Sequence, residues 1–356
     1  MKLPRITILA TLLLTMPAAA QLQITPPATT PSPPAEKQKP KPPAPAKKEA
    51  APAPRASPSP KPSPSPKPAT VIPAPPADNP NVDLVYGAYQ RGQYKTAFEL
   101  ATPRAQAGDP KAMTMLGELY SNAMGIRRDY AKAAEWYKRA ADAGDREAMF
   151  ALAMLRMSGR GGPVDKGEAV KLMASAAKLG EPKAAYNLAL LYLDGQTLPQ
   201  DVKRSAELLR QAADAGLPEA QYALATFYKE GTGVPKDAER SVRLLQAASL
   251  ADNVDAEVEY AIAMFNGTGT PKNQPAAVAL LRKASRQGSA IAQNRLAWVL
   301  INGVGTTVDK VEGFKWHLVA KTAGKGDPEL DKQLSDLPAE DRAKAEAAAR
   351  KWLGTK

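Results

Sequence analysis

The chain has 356 residues, a net charge of +12, 44% hydrophobic side chains, no cysteine and one histidine. Without cysteine it can form no disulfide, no thiolate metal site and no cysteine nucleophile, and a single imidazole cannot build a usual transition-metal centre. The charge points to nucleic acid only until it is partitioned: Lys2 and Arg5 carry two and the segment 21–80 carries five, leaving a modest +5 elsewhere.

The first element reads as a secretory signal peptide over residues 1–20. Lys2 and Arg5 precede an apolar run from Ile6 to Met16, and Ala18-Ala19-Ala20 precedes Gln21, which places cleavage after Ala20. A helix needs about 20 apolar residues to span a bilayer, so this run is too short and the mature chain is expected to have no membrane span. Residues 21–80 follow as a Pro/Lys-rich linker. Of the 34 prolines, 20 fall between Pro26 and Pro76, among too few apolar side chains to offset the entropy of ordering, so this stretch is expected to be disordered.

From residue 81 onward the signal is a period. Gly108, Gly144, Gly180, Gly216, Asp252, Gly288 and Gly324 recur every 36 residues. Such a period marks stacked supersecondary units. A shorter unit over 81–108 comes first, then six full units over 109–324. In each full unit a first helix carries an apolar stripe such as Ala184, Leu188 and Tyr192. A neighbouring position is always small: Gly117, Ala153, Ala189, Ala225, Ala261 and Ala297. Glycine pairs such as Gly159 with Gly161 and Gly231 with Gly233 supply the turn. The second helix opens at Asp129, Asp165, Asp201, Asp237, Asn273 or Asp309 and closes at the periodic glycine, with the Asp252 junction expected to be less tightly capped. Residues 325–356 read as a single polar C-terminal capping helix, from about Pro338 to Trp352.

The pattern Ala-x-x-x-Leu-Gly-x-x-Tyr, Gly-x-Gly, Asp, Ala-x-x-Trp and Ala-Ala-x-x-Gly resembles the Sel-1-like repeat family, a relative of the tetratricopeptide repeat. The fold class the chain implies is therefore all-α, an α-solenoid of stacked 36-residue helix-turn-helix units. The least typical unit carries Arg156 in place of the tyrosine, beside Gly159-Arg160-Gly161-Gly162. Similar exported bacterial repeat proteins act in membrane-complex assembly, in host contact or as regulators of sensor kinases, which the resemblance implies as roles to expect.

No catalytic, cofactor-binding or metal-binding residues are expected, and His317 reads as structural. The glycine pairs lack a preceding strand and the lysine of a phosphate-binding loop. Function is expected instead at first-helix positions that vary between units. One row is Thr114, Phe150, Tyr186, Tyr222, Val258 and Asn294. One turn on lies the row Glu118, Met154, Leu190, Thr226, Ile262 and Trp298. From these Phe150, Met154, Tyr186, Tyr222, Asn294 and Trp298 are the expected partner-binding residues, with Asn294 and the indole of Trp298 as the foremost anchors. The chain is expected to be a monomeric, non-enzymatic scaffold, periplasmic or secreted, that holds another envelope protein or peptide and no nucleic acid. The alternative expectation is an envelope-polymer binder that attaches to peptidoglycan or an anionic glycan through the Pro/Lys-rich segment.

Overall fold

A computed structural model describes residues 83–354. The expected signal peptide and Pro/Lys-rich linker lie outside the described residues. Within them every regular element is an α-helix, sixteen in all. The short first unit is α1 (Leu84–Gln90) and α2 (Tyr94–Gln106). The first helices of the six full units are α3 (Pro110–Asn122), α5 (Arg146–Ser158), α7 (Pro182–Asp194), α9 (Pro218–Glu230), α11 (Val254–Asn266) and α13 (Ala290–Asn302). Their partners are α4 (Tyr130–Asp142), α6 (Lys166–Lys178), α8 (Val202–Asp214), α10 (Ala238–Leu250), α12 (Gln274–Arg286) and α14 (Lys310–Thr322).

A helix of about 13 residues is marginal by itself in water, so these elements depend on their packing. The stripe supplies it. Leu116, Leu152, Leu188, Leu224 and Leu296 are all buried, as are the alanines of the small row. A Cβ at Gly117 would stand 2.5 Å from the Tyr137 ring, so the small residue there is a requirement of helix approach. On the partner helices Ala133, Ala169, Ser205, Ser241, Ala277 and Gly313 form a matching small row. Ser241 Oγ donates to the Ala225 carbonyl at 2.7 Å across that contact.

The carboxylates and the amide predicted to open the second helices do cap them. Asp129, Asp165, Asp201, Asp237, Asn273 and Asp309 each accept from the backbone N–H three residues on, at 2.8–3.1 Å. Their own N–H groups donate to carbonyls of the first helix, such as Asp165 to Arg156 and Asp237 to Tyr228, which fixes the loop. The glycine pair does more than turn the chain. The second glycine lies against the preceding unit, and a Cβ at Gly233 would stand 2.6 Å from the Val202 carbonyl oxygen at the start of α8.

Each junction between units closes in the same way. The residue after the periodic glycine donates to a carbonyl five residues back, as in Asp145 to Ala140 and Ser289 to Ala284. Asp252 keeps the pattern, contrary to the expectation of a looser junction. Its φ is +58°, and Asn253 donates to the Ala248 carbonyl at 3.1 Å. Lys283 bonds both Asp252, at 2.8 Å, and the fully buried Glu257, anchoring the side chain that replaces glycine.

The C-terminal segment is a helix pair where one helix was expected: α15 (Pro328–Ser335) and α16 (Ala339–Gly354). Asp327 caps α15 by accepting from Glu329 and Leu330. Leu330, Leu337, Ala345 and Ala349 are buried, so the cap carries an apolar underside that continues the stack. The Trp316 and Trp352 rings meet edge to face at 5.0 Å.

Candidate protein-interaction face

Successive first helices are linked directly from unit to unit. Tyr89 donates to Glu118 at 3.3 Å, Lys111 pairs with Asp145 at 2.9 Å, and Lys229 pairs with Glu259 at 2.8 Å. These bridges tie α1 to α3, α3 to the cap of α5, and α9 to α11, and the 36-residue repeat gives the variable rows the same place on each first helix.

Four of the predicted residues lie half-buried on it. Phe150 and Tyr186 rest against the core of the third and fourth full units, Tyr222 against Leu245, Ala248 and Ala256, and Met154 against Ala153, Ala169 and Met173. A half-buried aromatic leaves one edge free while its other edge is held by packing. The two tyrosine hydroxyls lie in the field of carboxylates, most of them one unit further on. Burial and then Glu219 push the Tyr186 hydroxyl above the usual tyrosine range, and burial with Glu259, Asp255 and Glu230 does the same for Tyr222. At the N-terminal end Val85, Tyr86, Tyr89, Met115 and Glu118 line a groove of about 410 Å³. Of the other members of the rows, Thr114, Val258 and Thr226 are buried packing residues, and Glu118, Leu190 and Ile262 are half-buried.

The two foremost anchors sit differently from expectation. Asn294 is buried, with Nδ2 donating to the Lys325 carbonyl at 3.2 Å and Oδ1 accepting from Arg295 at 2.8 Å. Trp298 is half-buried and its Nε1 donates to Asp327 Oδ2 at 3.1 Å. Both residues are covered where the chain leaves the last repeat for the C-terminal helix pair, Asn294 by Lys325 and Trp298 by Asp327. Beside them Arg295 is buried, and desolvation lowers its guanidinium to about 10 despite the opposing fields of Glu259 and Asp327.

Sequence reasoning overlooked the caps of the first helices, where Asp109, Asp145, Asn253 and Ser289 each accept from the first turn. Their signal was legible as a short polar residue directly after the periodic glycine. His317 is fully buried and its Nε2 lies 2.8 Å from Asp331 Oδ1, an inter-helix contact of the cap. No helix among the described residues is long and apolar enough to cross a membrane.

A stack of thirteen-residue helix hairpins, capped at Asp and closed at a left-handed glycine, defines an α-solenoid of the tetratricopeptide-like kind. The Sel1 repeat model matches six consecutive segments, 110–145, 146–181, 182–217, 218–253, 254–289 and 290–325, and the chain belongs to the Sel1 repeat family. It is similar to c5321, a protective antigen of uropathogenic Escherichia coli with the same repeat fold. That likeness has a TM-score of 0.65 at 26% identity and covers 76% of this chain and 59% of that one. A Sel1 repeat protein from Oxalobacter formigenes is similar at TM-score 0.60 and 26% identity, over 67% of this chain and 98% of that one. No curated protein matches. Proteins of this family generally mediate protein–protein interactions, and their fold is typically a non-catalytic scaffold.

Proposed function

We propose that this chain is a non-enzymatic periplasmic adaptor whose first-helix face holds an extended segment of another envelope protein. The observation that carries the reading is the half-buried ladder of Phe150, Tyr186 and Tyr222, repeated at 36-residue spacing, with carboxylates of the following unit acting on the two tyrosines. Aromatic edges supply apolar contact at low entropic cost, and unpaired Glu219 and Asp255 suit a basic segment laid across them.

The test is photo-crosslinking in intact cells from Tyr186 and Tyr222, with a second-helix position such as Gln246 as control. The same partner should be recovered from both tyrosine positions, and Tyr186→Ala with Tyr222→Ala should lower its yield at least about tenfold, with circular dichroism confirming that the double variant is folded. Recovery of nothing above the Gln246 background would remove the adaptor reading.

A further inference from the structure

The two sets of helices carry opposite charge. The six first helices hold six basic and eight acidic residues, a net −2. The six second helices hold seventeen basic and seven acidic, a net +10. The whole-chain figure conceals this division, since first and second helices alternate along the sequence.

Pairing sharpens the difference. On the second helices Lys166, Lys171, Lys178, Lys203, Arg282 and Arg286 take part in no ion pair among the described residues, and all but Arg282 are exposed. The unpaired acids there are only Glu135 and Asp214. The surplus is spread over α6, α8 and α12, so the positive field runs along the stack and is not gathered at one point.

The aromatic side chains of the second helices are already engaged within the fold. Tyr137, Phe314 and Trp316 are buried, and the half-buried Trp136 and Tyr130 carry cations of this chain over their rings, Arg139 at 4.3 Å on the first and Arg160 at 5.4 Å on the second. An apolar group does project elsewhere. Leu250 ends α10 with 81% of its surface exposed, at the repeat position held by Asp142, Lys178, Asp214, Arg286 and Thr322 in the other units. A set of helices with a surplus of unpaired cations that also exposes a leucine matches a surface of anionic headgroups above hydrocarbon. A hydrated polyanion would gain nothing from the leucine.

We infer that the second-helix face docks on an anionic phospholipid bilayer, leaving the first-helix face free for its protein partner. The contact is peripheral. The unpaired lysines and arginines lie over headgroup phosphates and Leu250 enters the interfacial layer, so binding weakens with salt and retains a salt-insensitive part. This inference does not depend on the adaptor reading.

The experiment is co-sedimentation of the full chain with vesicles of phosphatidylcholine alone and of phosphatidylcholine with an equal amount of phosphatidylglycerol. The Pro/Lys-rich segment is kept in every variant, so differences report the helices. The chain should sediment with the anionic vesicles only. Lys171→Glu with Lys203→Glu and Arg286→Glu should lower the partition at least about tenfold, given the usual contribution of a basic residue near such a surface. Lys183→Glu, on first helix α7, should leave it unchanged, and Leu250→Asn should lower it severalfold at every salt concentration. Circular dichroism confirms that each variant is folded. Failure of the parent chain to sediment, equal loss with Lys183→Glu, or no loss with the triple variant each overturns the inference. So does binding to soluble poly-glutamate as tight as to the vesicles, which would favour an acidic protein, or an unchanged Leu250→Asn, which would favour a hydrated polyanion.

Discussion

The indole N–H of Trp298 on α13 donates to Asp327 Oδ2 at 3.1 Å, and the other oxygen of the same carboxylate caps α15. One side chain from the last repeat is thereby tied to the start of the cap. Trp298→Ala should remove both the ring's packing and this bond, destabilising the fold by about 2–3 kcal/mol, below the range for fully buried aromatics because Trp298 is half-buried. Trp298→Phe keeps the ring and should cost about 1 kcal/mol. Urea unfolding of the two variants checks the order; equal stability of Trp298→Ala and the parent would mean that the cap does not depend on this contact.

Glycines in this array have two separate jobs, and alanine substitution should distinguish them. Gly216 has φ +84° with nothing within 4 Å of its would-be Cβ, so Gly216→Ala pays only the left-handed backbone penalty of about 1–2 kcal/mol. Gly233 has φ +67° and also meets the Val202 carbonyl of the preceding unit. Gly233→Ala must push two units apart as well and should cost about 3 kcal/mol or more. The checking measurement is the difference in denaturation midpoint, and a smaller loss for Gly233→Ala than for Gly216→Ala would be decisive against this division.

The repeat made most of the fold legible, because its determinants are local. A carboxylate three residues before the N–H it caps, or a glycine that must turn left-handed, can be recognised without knowing the neighbours. What the period could not show was contact with parts of the chain that do not repeat. Asn294 and Trp298 depart from their rows because Lys325 and Asp327 lie over them, and from sequence alone a residue specialised for the cap looks like one specialised for a partner. Helix α15 was missed for the same reason, since the phase slips at Gly326-Asp327-Pro328. The role of Gly233 was half visible: its turn was expected, its approach to α8 was not. Phe150, Tyr186 and Tyr222 stayed on an open face because their neighbours are further repeats.

At the junction where aspartate replaces glycine, the left-handed strain is local and the ion pair is exposed. Asp252 is three-quarters exposed in its pair with Lys283, whereas Glu257, the second partner of that lysine, is fully buried. Asp252→Gly should therefore be neutral or stabilising by up to about 1 kcal/mol, because relief of the backbone outweighs a surface pair. Lys283→Met should be clearly destabilising, because it leaves a buried carboxylate without its cation. Thermal unfolding of both variants tests this. A larger loss for Asp252→Gly than for Lys283→Met would show that the exposed pair, and not the buried one, holds the junction.

The cap also carries an acid-sensitive contact. Asp331 on α15 faces His317 and Lys321 of α14, each at 2.8 Å. Partial burial acts to raise its carboxyl, but hydrogen bonds from Lys321 and His317 outweigh that and hold it below the ordinary aspartate value. A folded-state value below the unfolded one, about 3.9, means that the unfolded chain takes up the proton first as pH falls. The contribution is therefore complete above about pH 4 and is lost as pH drops through the lower folded value. Asp331→Asn should lower the unfolding midpoint at neutral pH, and its deficit relative to the parent should shrink steadily below about pH 4. A deficit that stays constant into strong acid would mean that Asp331 acts through its shape alone, and that the cap is not held by its charge.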